Sequence, residues 1–337
     1  MNASQIRALP ARRVDVPPAL TDEETVDLLG TLMDDRHYDH DKIFRENVDV
    51  FCAETGAPLL MFRKGVVPKS EFSAAYNAYE SAATETFNRG LAAGKITPER
   101  AEAALKSIGG VEWKKQSETR MRVKAKDGTW MKTTFALPVA SGIVGFYPRS
   151  RRAPYCRLTA FTQAHFKKFK SGLPVVRRVD SFYEALLPEN YAAQKAEAER
   201  TSPDFVIPNT SFTTVTVNKN WQTAAHTDQG DFDGGFGNLV AIRKGRYEGG
   251  YTILPQWRCG VDVENGDILL MDVHRVHGNT PIKKIDPGAT RLSLVMYYRA
   301  DMILCASEAE EISRARSSSV NSQLDIDLVQ EEEEDLK

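Results

Sequence analysis

His226-Thr227-Asp228, answered far downstream by His277, restricts this chain more than any other feature. Residues i and i+2 of a strand point to one face, so His226 and Asp228 can converge on a single ion. His277 must arrive from a different strand, which requires the chain to return through a sheet. Two histidines and one carboxylate make the facial set that suits non-haem Fe(II) and leaves coordination positions open. Arg291 follows His277 by 14 positions and opens the apolar run Leu292, Leu294, Val295 and Met296. An arginine at that place can pair bidentately with a carboxylate. In iron oxygenases that carboxylate belongs to 2-oxoglutarate.

The spacing of apolar residues predicts the sheet that these ligands need. Short strands are expected at 211–218, 223–226, 239–242, 251–254, 260–263, 267–271 and 291–298. Turns rich in Gly, Asn or Pro separate them. Such spacing implies an antiparallel sandwich or barrel, and a double-sheet jelly roll is one way to manage its edges. An Asp-Gly hairpin is expected at Lys126-Asp127-Gly128 between 121–123 and 130–135. Helices are expected after the capping box at Thr21-Asp22-Glu23-Glu24, over 68–94, and from Thr97-Pro98 to Gly109-Gly110. The fold class is therefore mainly β with N-terminal helices. The expected boundaries are a largely helical region over 1–115, an oxygenase domain over 116–305 and an acidic, disordered tail over 306–337. Residues 1–20 read as poorly ordered, and the helical region shows no chemistry of its own.

Charge is unevenly placed. Residues 308–337 hold ten acids and three bases, leaving 36 acids and 41 bases elsewhere. Between Arg149 and Arg178 stand nine bases and no acid: Arg149, Arg151, Arg152, Arg157, Lys167, Lys168, Lys170, Arg177 and Arg178. Tyr155, Phe161, Phe166 and Phe169 are interleaved with them, the footprint expected of a polyanion site. Its bland alternative is a solvated helix face. The acidic tail is expected to be dispensable for catalysis and able to compete with a polyanion for the basic segment. Cys52, Cys156, Cys259 and Cys305 form no CxxC pair, so reduced thiols are expected, with neither a zinc knuckle nor a disulfide framework. No stretch reaches the roughly 20 apolar residues of a bilayer span, and no secretory signal is apparent. A cytoplasmic location is expected, in a bacterial or phage-infected cell, or a nuclear one if the chain is eukaryotic.

The segment from about Pro154 to Asp301 resembles the TET/JBP family of 2-oxoglutarate/Fe(II) oxygenases, which oxidise the 5-methyl group of pyrimidines in nucleic acid. The resemblance is carried by 214-TVTVN-218, 226-HTDQGDF-232, 234-GGFGNL-239, 247-YEGGY-251, 272-DVHRVHGNTP-281 and 291-RLSLVMYY-298. It is closer to the kinetoplastid J-binding proteins and their phage relatives than to the animal enzymes, whose Cys-rich zinc region is absent. The resemblance implies a double-stranded β-helix core with His226, Asp228 and His277 on Fe(II). It implies that Arg291, helped by Ser293, holds 2-oxoglutarate, and that O2 and DNA are the other reactants. Tyr297 stands where relatives place an aromatic ring on the extruded base, and Asp231 where they place a polar group facing the base edge. Arg299 departs from the His found there in the mammalian and amoeboid branches.

Several positions keep a second reading. His274 competes with His277 as third ligand, though the turn sequence His277-Gly278-Asn279-Thr280-Pro281 favours His277. Tyr297 can be plain core packing, and Asp231 a turn residue. Arg157 is a further expected contact to the cofactor or to phosphate. The function expected is hydroxylation of 5-methylcytosine or thymine in DNA with base flipping, and no stable protein partner is expected. The rivals are a hydroxylase of a protein side chain or small molecule, and a barrel that binds nucleic acid without turnover.

Overall fold

The apolar run behind Arg291 forms the strand Thr290–Tyr297, in the interior of a ten-stranded sheet. Its Leu292, Leu294 and Met296 enter a core on one face, while Arg291, Ser293 and Tyr297 take the other, so the strand alternates with period two. The structure is a computed structural model and describes residues 1–318 apart from Arg152. Along the large sheet the order is Arg12–Val16, Val48–Cys52, Pro58–Arg63, Ile268–Met271, Gly237–Lys244, Thr290–Tyr297, Thr214–Lys219, Val139–Tyr147 and Arg157–Leu158. Thr84–Thr86 also pairs with Val139–Tyr147. A four-stranded sheet runs Gly278–Asn279, Thr252–Leu254, Cys259–Val261 and Ile43–Phe44.

Period-two alternation divides the two sides of the large sheet. Val215, Val217, Val240, Ile242, Leu292, Leu294 and Met296 point to one core, where the helices Lys69–Tyr79 and Phe166–Leu186 cover them. Gly172 allows these helices to meet, because a Cβ there would lie 2.2 Å from the Tyr79 ring. On the opposite side Ala241, Leu269, Met271 and Phe62 pack with Leu254, Trp257, Cys259 and Val261 of the small sheet. Two facing sheets around this second core make the expected jelly roll.

The N-terminal region departs from expectation. Residues 1–115 are not a largely helical appendage. Arg12–Val16, Val48–Cys52 and Pro58–Arg63 lengthen the large sheet, and Ile43–Phe44 joins the small one. Residues 1–20 are ordered, with a capped helix Ala3–Arg7 and the first strand. The helix expected over 68–94 stops at Tyr79, and the chain turns into 3-10 segments and the Thr84–Thr86 strand. Short runs such as Pro58-Leu59-Leu60-Met61-Phe62 carry no period that separates strand from helix. The helix Pro98–Ile108 forms as expected, capped by Thr97 and ended by left-handed Gly109. The expected hairpin forms as Arg120–Lys124 and Trp130–Phe135, joined by Glu112–Ser117 in a separate three-stranded sheet.

The C-terminal expectation also changes. Residues 308–317 form a helix with a Ser307 capping box, so the tail does not begin at 306. The remainder of the acidic tail lies outside the described residues. Cys156 and Cys305 are joined in a disulfide with Cα atoms 5.7 Å apart, against the expectation of reduced thiols throughout. Local spacing could not reveal a pair 149 residues apart, which only the folded chain brings together. Cys52 and Cys259 are free and buried. Among the described residues no helix is long and apolar enough to cross a membrane.

Candidate active site

A cleft of about 880 Å³ opens between the sheets. The strand Thr290–Tyr297 sends every second residue into it: Arg291, Ser293, Val295 and Tyr297. Its neighbour Thr214–Lys219 adds Thr216 and Asn218 by the same alternation. At the inner end the ligand atoms of His226, Asp228 and His277 lie within 4.8 Å of one another. The strand expected at 223–226 is reduced to one bridge, in which the amides and carbonyls of His226 and His277 exchange two hydrogen bonds of 2.9 Å. The Asp228 amide donates to the Val273 carbonyl. Gly278 next to His277 is required by close approach, since a Cβ there would lie 2.9 Å from the carbonyl oxygens of both Thr223 and Ala224.

Hydrogen bonding fixes which ring nitrogens face the centre. Nδ1 of His226 lies 2.8 Å from the Ala224 carbonyl, and Nδ1 of His277 lies 2.9 Å from the Arg275 carbonyl. A carbonyl only accepts, so each Nδ1 carries a proton and each Nε2 is turned toward the centre, where it can bind a metal once deprotonated. Those Nε2 atoms stand 3.4 and 3.9 Å from the two oxygens of Asp228. Burial opposes the charge of Asp228, but the His226 hydrogen bond and the neighbouring His277, His226 and Arg89 outweigh it and hold its carboxyl at about 2. Burial and His226 push His277 down to about 4. Its imidazole is thus neutral near pH 7, the state that binds a metal. His274 is excluded from the centre, because its Nε2 lies 3.2 Å from the Phe232 carbonyl.

Arg291 is 4% exposed and its Nε has no hydrogen-bond partner. Burial lowers its pKa below the ordinary arginine value. The buried Tyr247 hydroxyl, which makes no hydrogen bond of ordinary geometry among the described residues, is close enough to Arg291 to raise its pKa. An uncompensated buried cation is costly, and an incoming carboxylate would satisfy both groups. The donor set suits Fe(II), and the orphaned arginine suits a dicarboxylate such as 2-oxoglutarate.

Asp231, Tyr297 and Arg299 line the cleft. Asp231 bridges Arg299 through the backbone, and its Oδ2 is buried and unpartnered. Burial and the adjacent Asp228 push its carboxyl well above the ordinary range, with Arg299 opposing. Tyr297 is buried; desolvation and Asp231 push its phenol to about 12, and its hydroxyl lies 3.2 Å from Thr216 Oγ1. Arg157 is not brought into the cleft lining. Its guanidinium stacks over Tyr147 and Tyr155.

Sequence reasoning misses Arg89. It lines the cleft from the N-terminal region and bonds the Gly142 carbonyl, while its buried Nε lacks a partner. No local pattern distinguishes it, because only the Thr84–Thr86 strand pairing carries it to the site. The basic segment is partly consumed by the fold. Arg149 pairs with Glu311, Arg178 with Glu71, Arg177 donates to the Pro208 carbonyl and Lys168 to Ser81. Arg152 lies outside the described residues.

Residues 142–300 match the Tet_JBP family, described as the oxygenase domain of the 2OGFeDO superfamily. The segment is a Tet/JBP oxygenase domain. It covers just under half of the chain and contains the whole His-Asp-His centre. Thymine dioxygenase JBP1 of Trypanosoma brucei brucei is 40% identical over 166 residues, 48% of this chain and 19% of that protein. Bifunctional helicase and thymine dioxygenase JBP2 of T. brucei brucei strain 927/4 GUTat10.1 is 33% identical over 193 residues, 56% of this chain and 17% of that protein. The chain thus spans about a fifth of the length of these relatives. A solved structure titled NgTET1 in complex with 5mC DNA aligns with TM-score 0.48 and 14% identity, over 82% of this chain and 87% of that one. Outside the Tet/JBP domain, the 1–141 segment supplies Arg89 and part of both sheets. The domain's cofactors are Fe(II) and 2-oxoglutarate, and the residues present fit both.

Proposed function

We propose that the chain hydroxylates the 5-methyl group of a pyrimidine in DNA. The single observation that carries this reading is the His226-Asp228-His277 centre sharing one cleft with the unpaired Arg291 inside a Tet/JBP domain. A barrel that only binds nucleic acid needs neither the three ligands nor a buried arginine that has no carboxylate ion pair among the described residues. The names of the relatives, both thymine dioxygenases, favour thymine over 5-methylcytosine as the first substrate to test.

Fe(II) on His226, Asp228 and His277, with 2-oxoglutarate paired to Arg291, would supply C–H hydroxylation coupled to conversion of O2 and 2-oxoglutarate into CO2 and succinate. The chain itself positions the reactants. Backbone carbonyls lock both imidazoles with Nε2 inward. Arg291, with Tyr247 beside it, is placed to bind an anion at a buried position. Tyr297, fixed by Thr216, offers a ring to a planar base. Asp231, whose buried carboxyl is pushed upward by desolvation and by Asp228, presents a polar group to a base edge, and Arg299 adds a cation at the same wall. A pyrimidine methyl in duplex DNA lies within the stack and cannot reach this centre, so the nucleotide must be extruded. Room for a cofactor and a base together is consistent with about 880 Å³.

The test is nucleoside mass spectrometry of thymine-only and 5-methylcytosine-containing DNA after incubation with the full chain, Fe(II) and 2-oxoglutarate. Hydroxymethylated nucleoside in either is the expected result. Succinate formation stimulated by a peptide or metabolite but not by DNA would remove the proposal. Arg291→Ala should raise the KM for 2-oxoglutarate by roughly 100-fold, and Tyr247→Phe by roughly tenfold, since hydrogen bonds to charged groups contribute about 1.5–3 kcal/mol each. An unchanged KM in Arg291→Ala would refute the cofactor assignment.

A further inference from the structure

The three-stranded sheet Glu112–Ser117, Arg120–Lys124 and Trp130–Phe135 lies outside the Tet/JBP domain, and its alternation sorts its side chains sharply. Trp113, Met121, Val123, Met131 and Phe135 join the core under the helix Pro98–Ile108. The cross-strand partners Lys114 and Arg122, and Lys124 and Trp130, fall on the other face. Lys132 alternates onto that face, and Lys126 stands at the hairpin tip. Residues 112–135 hold seven bases and three acids, a balance of +4. Two acids are engaged locally, Glu112 with Lys124 and Glu118 with Lys115. Among the described residues Lys114, Arg122, Lys126 and Lys132 have no carboxylate partner, and Arg122 Nε is buried without a hydrogen bond. Trp130 sits between two ammonium groups, 4.5 Å from Lys114 Nζ and 5.7 Å from Lys124 Nζ.

This sheet is fastened to the wall of the cleft. Arg120 donates to the carbonyls of Phe87 and Asn88, and the Phe87 and Phe135 rings meet edge to face at 5.9 Å. Asn88, Arg89 and Gly90 follow directly and line the cleft. The sheet is therefore joined to the loop that supplies Asn88, Arg89 and Gly90 to the cleft lining.

We infer that the outer face of this sheet, Lys114, Arg122, Lys132 and Trp130 with Lys126 at its tip, is a second DNA-contacting surface that holds the duplex flanking the target nucleotide. The inference rests on the substrate reading above and adds where the rest of that substrate runs. Charge complementarity selects the occupant. A six-residue strand is about 20 Å long, and phosphates recur every 3.4 Å of axis on each strand, so the face spans about six of them. A cationic face carrying an aromatic ring combines phosphate contact with a flat apolar surface. Linear sequence obscures it, because its acids and bases are intermixed until the pleat separates them.

The test compares the full chain with Lys114→Gln/Lys126→Gln/Lys132→Gln, with the matching triple Lys→Arg variant and with Trp130→Ala. Duplex affinity is read by fluorescence anisotropy across a salt series. The glutamine triple variant should bind about tenfold more weakly at low salt, with the slope of log K against log salt reduced by about two to three, as each lost phosphate contact removes roughly 0.9. The arginine variant should keep wild-type slope, and Trp130→Ala should weaken binding with its slope unchanged. Succinate formation without DNA should be the same in all. An unchanged slope in a glutamine variant that still oxidises DNA overturns this inference alone. Stronger binding of RNA or of an acidic peptide than of duplex DNA overturns it too. A wild-type chain that forms succinate yet binds no duplex overturns both it and the substrate reading.

Discussion

Alanine at His277 should reduce succinate formation to background, whereas alanine at His274 should leave most of it. The two histidines stand three positions apart in one stretch, yet their rings do different work. His277 donates from Nδ1 to Arg275 and turns Nε2 toward Asp228. His274 points instead to the Phe232 carbonyl. Losing that neutral hydrogen bond costs about 1 kcal/mol, a stability effect that leaves the donor set intact. His226→Ala and Asp228→Ala should match His277→Ala, because two remaining ligands do not make a facial site. Titration with Co(II), followed by absorbance, separates loss of metal from loss of turnover. The three ligand variants should fail to bind it tightly while keeping wild-type circular dichroism. An active His277→Ala beside a dead His274→Ala would show that the wrong ring has been assigned.

What the sequence reveals about this site, and what it conceals, follows from the range of the interactions concerned. The ligands are legible because HxD and a distant His occur together with the other family-like motifs, and because Arg291 heads an apolar strand. Alternation along Thr290–Tyr297 is enough to place Arg291, Ser293 and Tyr297 on one face. The facing-sheet fold is legible from evenly spaced turns. Arg89 and the disulfide are not, since each depends on contacts between segments remote in sequence. The N-terminal strands escape for another reason. Val48, Val50 and Cys52 do alternate, but five residues are too few to outweigh the helical signals on either side. The basic run from Arg149 to Arg178 overstates its surface role. A helix distributes consecutive charges around its axis, and Arg178 and Arg149 turn inward to pair with acids that lie far away in sequence.

Two truncations should give opposite results, and they decide what the C-terminal segment does. Removal of everything after Ser318 takes away much of the acidic charge but few apolar residues. It should leave the melting midpoint unchanged. Removal after Ser307 also deletes the helix Glu308–Ser317, whose Glu311, Ile312 and Ala315 are buried. Glu311 accepts from Arg149 at 2.5 Å, from the Cys156 amide at 2.8 Å and from the Ala306 amide at 2.9 Å. Burial works against its charge, but Arg149 and those amides outweigh it and hold the carboxyl below the usual glutamate value. Breaking a fully buried pair costs about 3–5 kcal/mol. Arg149 keeps 27% of its side chain exposed, so about 2–3 kcal/mol is the reasonable expectation for Glu311→Ala, a fall of about 5 °C. The helix truncation should exceed that, because it also strips cover from Ala153 and Tyr155. With a folded pKa below the unfolded one, the Glu311 contribution is complete at neutral pH and is lost as pH falls through the folded value. Wild type should therefore lose more stability on acidification than Glu311→Gln. The Cys156–Cys305 link still tethers the truncated chain just before the deleted helix, so a reductant should lower its midpoint further. Equal midpoints for both truncations would show that the helix contributes no packing and that the segment acts through charge alone.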